Sequence, residues 1–102
     1  MQKVLNLLGI AKRASKTILG TDSVIVTLQA NKLKLIFIAS DASNGTFDKL
    51  DKKAYYYKVP IVSDYTTEQL SKALGVTLVK VVGVTDEGFA GAMLKELERG
   101  DF

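Results

Sequence analysis

The segment Lys16-Thr17-Ile18-Leu19-Gly20-Thr21-Asp22-Ser23 holds the most suggestive chemistry in the sequence. A short apolar run ends in glycine, and a helix is expected to begin at Thr21 or Asp22, both good N-cap residues. A helix start offers unpaired backbone N–H groups and the positive end of the helix dipole, which together accept a phosphate or a base edge. Gly20, lacking a Cβ, lets a ligand approach the backbone closely. Lys12, Arg13 and Lys16 stand nearby in sequence and add positive charge. The same residues also describe an ordinary strand-to-helix turn, and by themselves they leave both readings open.

Other chemistries are poorly supplied. The chain has no Cys and no His. That removes disulfides, thiolate metal sites, the commonest general base and the usual partner of a Ser nucleophile. Gly83, Gly88 and Gly91 do not form a dinucleotide fingerprint, and no phosphate-loop pattern ending in Gly-Lys-Ser or Gly-Lys-Thr occurs. Gly88 and Gly91 fall in an expected helix, where they are read as permitting close packing. Asp86-Glu87 marks the start of that helix, a place where the dipole favours negative charge. Asn44-Gly45-Thr46 is formally a glycosylation sequon, but a cytosolic chain does not meet that machinery. Tyr55-Tyr56-Tyr57 have the chemistry to stack on bases. Three consecutive helical positions point in three directions, however, so Tyr57 is expected in the core and the other two as a partly exposed rim. We therefore expect no enzyme, no cofactor and no metal.

Charge points toward a polyanion. Residues 1–40 set Lys3, Lys12, Arg13, Lys16, Lys32 and Lys34 against Asp22 alone. Residues 86–102 set Asp86, Glu87, Glu96, Glu98 and Asp101 against Lys95 and Arg99. A basic beginning beside an acidic tail gives a one-sided field suited to nucleic acid, although uneven scatter of charge is common in small proteins. No stretch has the roughly 20 apolar residues that a membrane helix needs. Asn6 and Lys12-Arg13 spoil the faint likeness of the N-terminus to a signal peptide, so a cytoplasmic location is expected.

The elements that must position these groups alternate. Residues 2–13 read as a helix with Val4, Leu7, Leu8 and Ala11 on its core stripe. Thr17–Leu19 reads as a short strand, followed by a helix burying Val24, Ile25 and Leu28. Residues 35–39 form an apolar run suited to a central strand covered on both faces. Ser43 or Asn44 caps a third helix carrying Phe47, Leu50, Ala54 and Tyr57. Residues 59–62 then read as a strand with Pro60 at its start or on an edge. Thr66-x-x-Gln69 is a capping box, and it opens a helix with Leu70, Ala73 and Leu74 that Gly75 closes. Residues 78–84 read as a further strand. Thr85 or Asp86 caps a last helix with Ala90, Met93, Leu94 and Leu97 inward. At 102 residues there is room for one domain, a sheet between helices.

The order of residues resembles a known family. The landmarks are Leu7-Leu8-Gly9-Ile10-Ala11-Lys12-Arg13-Ala14, then Gly20-Thr21-Asp22, then residues 34–43, Lys34-Leu35-Ile36-Phe37-Ile38-Ala39-Ser40-Asp41-Ala42-Ser43. Tyr56–Pro60, Leu70–Gly75 and Val84–Ala90 complete them. Jointly they resemble the kink-turn-binding ribosomal proteins of the L7Ae/L30e type, most closely the bacterial YlxQ branch. The resemblance implies a three-layer α-β-α sandwich around a mixed four-stranded sheet. It also implies a non-catalytic protein that binds structured RNA, either ribosomal or kink-turn-like. By similarity one contact lies at Gly20, Thr21, Asp22 and Ser23. A second, an apolar loop over an extruded base, lies at Gly75, Val76, Thr77 and Leu78.

The family's Gly-x-Asn-Glu-x-x-Lys motif reads differently here, with Asp22 for Asn, Ser23 for Glu and Val26 for Lys. Ser40 stands where an acidic residue often precedes Asp41. An ionised Asp22 cannot donate a hydrogen bond, and Val26 removes a cation. Lys12, Arg13, Lys16 and Lys34 are expected to supply phosphate attraction through counterion release. The expected protein is a monomer without cofactor or membrane contact, with structured RNA and a ribosome-associated protein as partners. The altered motif motivates an alternative, the same fold serving as a protein-interaction module.

Overall fold

The computed structural model describes residues 3–100. Gln2, expected as the first residue of the opening helix, lies outside them. In chain order the elements are α1 (Lys3–Arg13), β1 (Thr17–Leu19), α2 (Thr21–Gln29), β2 (Leu35–Ile38) and α3 (Asn44–Tyr56). They continue as β3 (Ile61–Val62), α4 (Thr67–Leu74), β4 (Val81–Val84) and α5 (Glu87–Glu98). The strands lie in the order β1-β4-β2-β3. Strand β4 is antiparallel to both β1 and β2, whereas β2 and β3 run parallel. The sheet is therefore mixed and four-stranded.

Alternation along the central strands divides the core in two. Leu35 and Phe37 of β2, with Val82 and Val84 of β4, join Val4, Leu8 and Ala11 of α1, Leu70 of α4 and Met93 of α5. Ile36 and Ile38 of β2, with Val81 of β4, join Val24 and Leu28 of α2 and Leu50 and Ala54 of α3. Helices thus cover both faces, which is why residues 35–38 form an unbroken apolar run. The result is a three-layer α-β-α sandwich.

Several boundaries differ from the sequence reading. Strand β4 starts at Val81 instead of residue 78, because the buried Ser71 hydroxyl accepts the Val79 amide at 2.9 Å. Strand β3 keeps only two residues: the Val59 amide donates to the Ala54 carbonyl at the end of α3, and Pro60 has no N–H to offer. Ala39 falls outside β2, although its amide still donates to the Lys80 carbonyl. On α1, Leu5 is buried and Leu7 half-buried, so the core stripe is shifted by part of a turn.

The glycines that permit close approach are also different ones. A Cβ on Gly91 would meet nothing within 4 Å, and one on Gly88 only the Asp86 carboxylate. A Cβ on Gly9 would stand 2.9 Å from the Ala73 carbonyl oxygen, and one on Gly83 2.6 Å from a Leu33 methyl. Gly9 lets α1 settle against α4, and Gly83 makes room for Leu33 beneath α2.

Candidate nucleic-acid interface

The start of α2 is bare. Gly20, not Thr21 or Asp22, occupies the N-cap position, at φ 97° and ψ 149°, and no side chain caps the helix. The first helical bond runs from the Val24 amide to the Gly20 carbonyl. The amides of Thr21, Asp22 and Ser23 precede that bond and keep the positive end of the dipole open. The other described helix starts are closed: Ser43 caps α3, Thr66 and Gln69 form a capping box on α4, and Asp86 caps α5.

Two of the expected contact regions meet at one end of the sheet. The Gly20 amide donates to the Val81 carbonyl at 2.9 Å. Val81 opens β4, immediately after the loop that leaves Gly75. Gly75, at φ 69°, ends α4 in the left-handed conformation that glycine adopts without steric cost. Beyond it Leu78 is 67% exposed, and Val26 on α2 is 66% exposed.

A polar brace fixes the same end. Asp41 Oδ1 accepts from the Thr67 amide at 2.9 Å and from the Thr67 hydroxyl at 2.7 Å. Lys80 Nζ donates to Thr67 Oγ1 at 3.2 Å. The Thr67 hydroxyl, then its amide, hold the Asp41 carboxyl below its ordinary value, and the nearby Lys80 charge adds a little. This ties the segment after β2, the start of α4 and the residue before β4 into one support. A shallow depression there is lined by Lys72 and Lys80, by the acids Asp41 and Glu68, and by Val76, Thr77 and Leu78 of the loop.

The cations are distributed otherwise than sequence proximity suggested. The Lys16 carbonyl accepts from Thr85, and the Lys34 amide donates to Val84, so both residues flank the far end of β4. About 13 Å of extended chain separates Lys16 from Gly20, and Lys34 lies at the same far end. Lys12 and Arg13 end α1. Arg13 leans toward α4, sharing a groove with Gly9, Ile10, Gln69, Lys72 and Ala73. The lysines at the Gly20 end are Lys72 and Lys80, which the sequence reading missed. Lys80 was hidden inside an expected strand, and Lys72 inside an expected helix face. No group of three or more acidic side chains suited to a metal ion occurs among the described residues, and none of their helices is long and apolar enough to cross a membrane.

Comparison with known proteins gives this geometry a context. The profile of the ribosomal protein L7Ae/L30e/S12e/Gadd45 family matches residues 2–94. The chain is 38% identical over 99 residues to the RNA-binding protein YlxQ of Enterococcus faecium, covering 97% of this chain and 94% of that one. It is also 38% identical over 92 residues to the RNA-binding protein YlxQ of Bacillus subtilis (strain 168), covering 90% and 92%. Among solved structures, a Bacillus halodurans protein of unknown function superposes with a TM-score of 0.92 at 31% identity, over 96% of this chain and 99% of that one. The Giardia lamblia 15.5kD RNA binding protein superposes with a TM-score of 0.82 at 18% identity, over 95% and 86%, a likeness of fold. With its profile matched over nearly the whole length and its sandwich shared, the chain belongs to the ribosomal protein L7Ae/L30e/S12e/Gadd45 family.

Proposed function

We propose that this protein, as a single cytoplasmic domain without cofactor, binds structured RNA of a ribosomal or kink-turn kind and catalyses no reaction. The uncapped start of α2 carries the reading: the amides of Thr21, Asp22 and Ser23 donate to phosphate oxygens or base-edge acceptors of the RNA beside the Gly75–Leu78 loop. Leu78 supplies apolar contact to an extruded base, and Lys72 and Lys80 supply positive charge next to it. Support also comes from the two relatives named as RNA-binding proteins. Lys12, Arg13, Lys16 and Lys34 then serve as a wider electrostatic surround of a monomer, acting at longer range.

Titration of labelled kink-turn RNA against the same duplex without its bulge tests this reading. Tighter binding of the bent RNA, weakened by Leu78→Asp and by Lys72→Glu with Lys80→Glu, is the expected result. Equal affinity for both RNAs, with none of these substitutions having an effect, would overturn it.

Val26 favours a second reading. It places an exposed aliphatic surface on α2 at the lysine position of the Gly-x-Asn-Glu-x-x-Lys motif that the sequence resembles. That surface suits a protein partner, ribosome-associated or otherwise. A partner retained after nuclease treatment and lost on Val26→Lys supports this reading, and one released by nuclease supports the first.

A further inference from the structure

The end of the sheet away from Gly20 carries a second, unassigned surface. Tyr55 and Tyr56 close α3 with 88% and 77% of their surface exposed. They line an open groove with Lys52, Lys58, Val59 and Pro60. Tyr56 meets the Tyr57 ring edge to face, 4.9 Å between centroids and 80° between planes. Tyr57, half-buried, packs in turn against the core beneath α2 and α3, so the exposed ring next to it is steadied by one anchored to the core.

The backbone adds charge to this place. Lys58, at φ 60°, turns the chain sharply after the tyrosines. Its amide donates to the Tyr55 carbonyl and that of Val59 to the Ala54 carbonyl, which covers the negative end of the helix. The Ile36 amide donates to the Pro60 carbonyl, which sets the start of β2, reached just after Lys32 and Lys34, beside the turn after the tyrosines. Residues 30–38 and 52–60 hold Lys32, Lys34, Lys52, Lys53 and Lys58 and no carboxylate. Asp51 adjoins Lys52 and lies one helical turn before Tyr55 on α3, and Asp41, Asp48 and Asp64 are the next acids in sequence.

We propose that this surface binds a single-stranded RNA segment. Unpaired bases stack on Tyr55 and Tyr56, and the phosphates between them lie against Lys34, Lys52 and Lys58. Aromatic faces accept bases of any sequence once those bases leave a duplex, whereas bases inside a duplex are already stacked. An excess of lysine over acid at this end favours a polyanion over a neutral peptide. The site is separate from the one at Gly20, so a folded RNA held there could lay a flanking single strand along the opposite end of the protein.

The test uses the whole protein and a fluorescein-labelled eight-nucleotide oligouridylate, read by anisotropy in low salt. Tyr55→Ala with Tyr56→Ala should weaken binding about tenfold or more, given typical stacking strengths. Tyr55→Phe with Tyr56→Phe should restore it, and Lys34→Glu with Lys52→Glu should weaken it in a salt-dependent way. Because both rings are exposed, the melting temperature of the alanine variant should match the wild type. A kink-turn RNA without single-stranded flanks should bind the alanine variant as well as the wild type, or bind neither if only the Gly20 reading fails. Absence of oligouridylate binding, or binding indifferent to loss of both rings, overturns the proposal, as does a protein captured through these tyrosines in place of RNA.

Discussion

The amide of Gly20 donates to the carbonyl of Val81 at 2.9 Å, joining the residue before α2 to the first residue of β4. One bond thereby sets the spacing between a helix start and the end of a loop far along the chain, where β4 begins. At φ 97° and ψ 149° Gly20 occupies a region that side chains with a Cβ rarely enter.

Gly20→Ala therefore acts through the backbone alone, since nothing lies within 4 Å of the added Cβ. It should destabilise the fold by about 1–3 kcal/mol. Thermal unfolding should show a drop of roughly 5 °C or more. Structured RNA should bind more weakly to the variant, and oligouridylate at Tyr55 and Tyr56 should bind unchanged. An unaltered melting temperature would refute the strain.

The Asp41–Thr67 brace should make stability sensitive to acid. The native carboxyl titrates below its ordinary value of 3.8 because the Thr67 hydroxyl and amide both donate to its charged form. A carboxyl lowered in the folded state contributes stability above the unfolded value, and that contribution disappears as pH falls through the native value. Asp41→Asn keeps an acceptor but cannot titrate. Its melting temperature should lie below that of the wild type at pH 7, and the gap should narrow below about pH 4. A gap constant from pH 7 to pH 2 would show that the carboxylate charge is irrelevant there.

Two glycine substitutions should have opposite signs. Gly9→Ala gains about 1 kcal/mol of helix propensity, but its Cβ would stand 2.9 Å from the Ala73 backbone oxygen. Forcing α1 and α4 apart costs about 1–3 kcal/mol, so the net effect should be destabilising. Gly91→Ala meets nothing within 4 Å and should stabilise α5 by roughly 0.5–1 kcal/mol. Chemical denaturation of both variants checks the pair.

Ser15→Gly should also stabilise. Ser15 sits at φ 60°, where its amide donates to the Lys12 carbonyl and that of Lys16 to the Ala11 carbonyl. Glycine relieves the left-handed strain, partly offset by its greater freedom when unfolded, for a net gain of about 0.5–1 kcal/mol. Asn31→Gly, at the matching turn after α2, should gain less, because Asn tolerates that conformation better. Calorimetry distinguishes the two.

These turns also explain which features could be read from the sequence. Helix α4 was legible at both ends because Thr66 and Gln69 announce its start and Gly75 its stop. Helices α1, α2 and α3 finish with the same hydrogen-bonded turn, built on Ser15, Asn31 and Lys58 without glycine, so their ends carry no comparable signal. The apolar run at 35–38 declared a covered strand, while the beginning of β4 was masked by the claim of Ser71 on Val79. For the candidate interface, both the Gly20 turn and the Gly75 loop could be found from residue order. The charges around them could not. Lys16 is four residues from Gly20 in sequence, but an extended strand advances about 3.3 Å per residue and carries it to the other end. Lys80 and Lys72 reach the site through the folding of α4 onto the sheet, a relation between distant segments.

The margins of the sheet, β1 and β3, contain three and two residues, and Pro60 stands just before the second. Strands of five or six residues are typical. A neighbouring polypeptide that tried to extend the sheet would find too few free backbone groups to zip along. Crowding of many copies on a long nucleic acid would thus raise their local concentration without offering a template for fibre growth.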